Sequence, residues 1–166
     1  MGQILPLATL ALLTGVAAAP WWGSSEMTAA LIAAFLPAAA IHYWALRRAS
    51  VMSEIAVLFS GLAVDIVSGG PLGLWVLVYA AAWVLGLLQR PWVEILWKPG
   101  RWVLFSLAMP VLGLLVYAVG FHSGSAVASG SALLHATAWL IVAYPAIAAI
   151  LRVADGWRAD RPLESA

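Results

Sequence analysis

The sequence predicts an all-α membrane protein built from six transmembrane helices. Three observations carry this. The first is composition. Of 166 residues, 64% are hydrophobic and 9% are charged, where an ordinary soluble domain is roughly 45–50% apolar and about 25% charged. Mean hydropathy is +1.00. A soluble globule of this size cannot hide so much apolar surface, which excludes a soluble enzyme, a nucleic-acid binder and a disordered chain. The second is length. A membrane helix needs about 20 mostly apolar residues, so the chain holds six or seven at most and leaves no room for a soluble domain. The third is the placement of basic residues, which sort to one side when six spans are counted.

The spans are expected at 4–19, 28–46, 52–68, 72–89, 102–121 and 127–151. The first could be mistaken for a signal peptide, because Ala17-Ala18-Ala19 resembles a cleavage region. No Lys or Arg precedes its apolar run, however, and it is read as a retained span. Its Ala8, Ala11, Gly15 and Ala19 form a stripe of small residues. Such stripes let membrane helices approach closely, for internal packing (the favoured reading here) or for a partner helix. The second span ends in His42, Tyr43, Trp44, Arg47 and Arg48, which read as an interfacial belt and cytoplasmic anchor. Many of the ten tryptophans lie where such belts form.

The third span is the most informative. It carries Glu54 and Asp65, the acids that sit clearly inside an apolar stretch. They share a helix face with Gly61 and Ser68 but lie about 16 Å apart along the axis, too far for a catalytic pair or a shared metal. Intramembrane acids seldom point at lipid. Glu54 is expected to form an ion pair with Arg47, Arg48 or Arg101. Asp65 sits one turn before the helix end, against the negative end of its own dipole, and needs a donor. Ser68-Gly69-Gly70 stops the helix, its glycines supplying positive φ. Pro71 suits the first turn of the next helix. The free N–H groups of Leu72, Gly73 and Leu74 are then in reach of Asp65, which braces the hairpin. The competing reading places Asp65 in a small-molecule pocket with Trp75 and His135.

In the fourth span Trp75, Tyr79, Trp83 and Gly86 recur at helical spacing, as a packing face or a partner-contact face. The segment from Gln89 to Arg101 reads as a loop anchored by Trp92 and Trp97 on the inner headgroups. The fifth and sixth spans are joined through His122 and Ser125. Residues 1–153 form one domain and residues 154–166 a short charged cytoplasmic tail. All eight basic residues then fall on one side: Arg47 and Arg48; Arg90, Lys98 and Arg101; Arg152, Arg158 and Arg161. By the positive-inside rule this side is the cytoplasm, with both termini inside.

No cysteine is present, which excludes disulfides, thiolate metal sites and a Cys nucleophile. His42, His122 and His135 lie on different segments without metal-ligand spacing. No Walker loop, G-x-S-x-G or H-E-x-x-H occurs, and the run from Gly69 to Gly73 lacks the lysine of a phosphate loop. No catalytic residue, cofactor or metal is expected.

The middle of the chain resembles the rod shape-determining protein MreD family. The resemblance rests on Tyr43-Trp44-Ala45-Leu46-Arg47-Arg48 and on Phe59-Ser60-Gly61-Leu62-Ala63-Val64-Asp65-Ile66-Val67-Ser68-Gly69-Gly70-Pro71-Leu72-Gly73. It covers about residues 36–86, with length and six-span layout agreeing. One departure is that Phe35-Leu36 precede Pro37 where the family often has an arginine. The resemblance implies a non-enzymatic component of the bacterial cell-elongation machinery in the inner membrane. Such proteins bind the single-span protein MreC and work with MreB, RodA and a class-B penicillin-binding protein in lateral peptidoglycan synthesis. It also implies a fold like the substrate-binding subunits of energy-coupling-factor transporters. A small-molecule-binding subunit of such a transporter is the alternative function.

Overall fold

The computed structural model describes residues 4–19, 27–48, 53–96, 100–124 and 129–159. It is all-helical: α1 (Ile4–Ala17), α2 (Met27–Arg48), α3 (Glu54–Ser68), α4 (Leu74–Ile95), α5 (Gly100–Ser123) and α6 (Gly130–Ala159). The inter-span loop at 20–26, residues 97–99, the chain end at 160–166 and the Arg48 side chain lie outside the described residues. Four helices, α2, α4, α5 and α6, are long and apolar enough to cross a membrane. The other two are short. At 1.5 Å per residue, α1 and α3 reach about 21 and 22 Å, less than the roughly 30 Å hydrocarbon core of a bilayer.

Two helices run well past the ends expected from the sequence. The segment after Gln89 was expected to be a loop, but α4 continues as helix through Pro91 to Ile95. The last helix likewise runs to Ala159 and takes in part of the expected tail. In both places charged side chains end the apolar run before the backbone hydrogen-bond ladder ends.

α2 is the central helix. Leu31, Ala34, Phe35 and Ala38 to Ile41 are fully buried, on every side of the helix. A helix that is apolar all round belongs in an interior. Its many alanines let α1, α4 and α6 pack closely around it, the means by which membrane helices associate without a hydrophobic driving force. Gly86 of α4 allows a close approach to α2: a Cβ there would stand 2.6 Å from Ala45 Cβ.

Directions follow from the cross-helix bonds. Tyr79 Oη donates to Ala34 O at 2.8 Å and His42 Nε2 meets Gln89 Oε1 at 2.8 Å. Both numbers rise together, so α2 and α4 run parallel. α3 lies antiparallel to α4, with Gly61 against Val76 near one end. The His42 ring meets Phe105 of α5 and Tyr144 of α6. These contacts put Arg47, Arg90, Arg101 and Arg152 at the same end of the bundle.

One proline inside a helix leaves a carbonyl that a neighbouring helix takes up. Pro145 has no N–H, so Ile141 O loses its helical donor. The Trp102 indole supplies one at 2.8 Å, tying α5 to α6. Further along that pair Gly113 admits Thr137, whose Cγ2 would be 2.8 Å from an added Cβ.

Candidate functional site

The best-built polar site is the turn between α3 and α4. A helix start leaves its first four N–H groups without helical acceptors. Here Leu74 N bonds Pro71 O at 3.2 Å and Leu77 N bonds Gly73 O at 2.9 Å. The two between them go to another helix. Trp75 N donates to Asp65 Oδ1 at 2.8 Å and Val76 N to Asp65 Oδ2 at 3.3 Å. Gly73 N adds a third bond, to Oδ2, at 3.0 Å. Asp65 therefore caps α4 from within α3. Its charge opposes the dipole of its own helix end but sits at the favourable N-terminus of the next. Only 1% of the residue is exposed, so its three N–H donors replace the water it has lost.

The chain reaches this geometry through two glycines. Gly69 caps α3 with φ 64° and Gly73 precedes α4 with φ 91°. Both lie in the left-handed region that residues with a Cβ avoid. Gly61, one turn below Asp65, allows the two helices to touch: a Cβ there would lie 2.5 Å from Val76 Cα. Ser68 Oγ bonds back to Asp65 O at 3.3 Å. The expected brace thus forms, with details corrected. Pro71 stands in the turn and does not open the helix. Gly70 does not take positive φ. Of the three expected donors only Gly73 serves, because α4 begins later than expected and presents Trp75 and Val76 instead.

The pocket reading does not assemble. Asp65 is held by backbone donors, Trp75 is buried in the core with its ring edge-to-face on Phe35, and His135 is exposed on α6. Among the described residues no acidic, histidine or cysteine group of metal-binding size occurs.

Other expected sites move. Trp75 and Tyr79 of α4 are enclosed in the core, so they are not a partner-contact surface, whereas the largely buried Trp83 also lines a groove between α3 and α4. Tyr43 and Trp44 are also core residues rather than an interfacial belt. Trp44 Nε1 donates to Thr9 Oγ1 of α1 at 3.1 Å, and Arg47 reaches Tyr43 Oη at 3.3 Å. The small stripe of α1 was expected to pack internally. Ala8, Ala11 and Gly15 are instead exposed and Ala19 is half-buried, with open space where a Gly15 Cβ would stand. Glu54 is exposed at the start of α3 and makes no ion pair among the described residues.

The sequence reading missed one buried polar cluster. His42 and Gln89 are paired between α2 and α4, and Tyr144 stacks on Phe105 with ring centroids 3.8 Å apart. His42 Nδ1 and Tyr144 Oη are buried without a partner among the described residues. A lone Gln at the end of an apolar run is the one signal that pointed there.

No family model, curated protein or solved structure matches the chain.

Proposed function

We propose that this chain is an MreD-like, non-enzymatic scaffold of the bacterial cell-elongation machinery. In this reading it crosses the inner membrane six times, with both termini and every basic residue in the cytoplasm. It binds the single transmembrane helix of MreC and holds that protein beside MreB, RodA and a class-B penicillin-binding protein, so that lateral peptidoglycan synthesis follows the rod.

The observation that carries the reading is the α3–α4 hairpin. The residues on which the family resemblance rests, from Gly61 to Gly73, are those that close this hairpin around Asp65. A motif whose polar group is spent on capping a helix is suited to holding a shape and not to turning over a substrate. The gathering of Arg47, Arg90, Arg101 and Arg152 at one end of the bundle supports the orientation.

Affinity purification from native membranes tests it. The scaffold reading expects a single-span protein with a coiled-coil periplasmic part. Recovery of an ATPase pair and a bound vitamin would instead support the transporter alternative.

A further inference from the structure

We infer that a groove between α3 and α4 receives the transmembrane helix of a single-span partner, with a lysine or arginine of that helix paired to Glu54. This rests on the scaffold reading and adds the place and chemistry of docking. The groove holds about 320 Å³ and is lined by Glu54, Val57, Leu58, Trp83, Val84 and Leu87 among others. It lies toward the basic end of the bundle, since Glu54 begins α3 and Leu87 is two residues before the paired Gln89.

Three observations select the occupant. Glu54 stands exposed at the groove with no ion pair among the described residues, in a wall that is otherwise apolar. A carboxylate at that depth repels anionic lipid headgroups and attracts the basic residue with which a single-span helix meets the cytoplasm. The Trp83 ring forms part of this wall, and its buried indole N–H has no acceptor among the described residues. Finally, α3 is too short to span the bilayer core, and Ile55, Leu58, Phe59, Leu62 and Ile66 form an exposed apolar stripe along it. A short hydrophobic helix thins the surrounding lipid unless protein covers it, and helix association relieves that cost.

The test uses the full chain in native membranes with a photo-crosslinking amino acid placed at Leu58, at Val84, or at Val142 on the opposite face. Adducts with one single-span protein at 58 and 84 but not at 142 are expected. Glu54→Lys should cut their yield about tenfold, the scale of one lost interfacial charge pair. A reversed charge on the partner's basic residue should restore it. Glu54→Gln, which leaves the surface uncharged, checks that the variants fold alike. Adducts with lipid alone, or with a second copy of this chain, overturn the inference. The same partner captured at 142 and not in the groove overturns it while leaving the scaffold reading intact. Absence of any single-span partner, by crosslinking and by purification, overturns both.

Discussion

At position 65 one carboxylate closes the two ends of a helical hairpin. Asp65→Leu strands the amides of Gly73, Trp75 and Val76 in a buried site, and a loss of about 3 kcal/mol or more is expected at the usual cost of unsatisfied buried donors. Asp65→Asn keeps an acceptor and should lose only about 1 kcal/mol. Thermal unfolding in detergent separates the two, and equal losses would contradict the capping role. Gly61→Ala pushes a Cβ into the Val76 backbone and should cost about 2 kcal/mol by overpacking, whereas Gly15→Ala meets open space inside α1 and should leave the melting temperature equal or slightly higher. This site was legible in the sequence because acceptor and donors lie within 11 residues of each other, with glycines between them. The His42–Gln89 pair was not legible: its members are 47 residues apart and no local signal joins them.

Among the elements, α2 and α4 show where sequence pattern runs out. In water an apolar stripe points to the core. In a bilayer both lipid and core are apolar, so periodicity does not say which side an aromatic faces. Trp44 beside Arg47 therefore read as a headgroup anchor, and Trp75, Tyr79 and Trp83 read equally well as core or contact surface. For two of them the polar tip marks the inward side: Trp44 and Tyr79 each find an acceptor on a neighbouring helix. The α5–α6 pair relies on a related device, the Trp102 indole on the carbonyl freed by Pro145. Trp102→Phe should lower stability by about 1 kcal/mol, the scale of an interhelical hydrogen bond in membranes. Trp139→Phe, at a residue exposed on the outer side of α6, should change little. The same unfolding assay compares them.

For the whole molecule, composition made the class plain, and the hydrophobic runs located all six helices. Their ends were less legible, because Arg90 and Pro91 look like a loop although the helix passes through them. The natural absence of cysteine makes the topology directly measurable. Leu72→Cys, at the exposed α3–α4 turn, should react with a membrane-impermeant maleimide in intact cells once the outer barrier is opened. Leu96→Cys, at the basic end, should react only after the inner membrane is broken; the reverse pattern would invert the proposed orientation. In the proposed role, a hairpin fastened by Asp65 shapes a scaffold for cell elongation. This role is tested most directly by depleting the chain in the cell that makes it, then supplying variants and measuring cell width alongside lateral peptidoglycan incorporation. Depletion should turn rods into spheres, with wild type and Asp65→Asn restoring the rod and Asp65→Leu failing to. Cells that keep their rod shape and lateral incorporation after depletion would contradict the account.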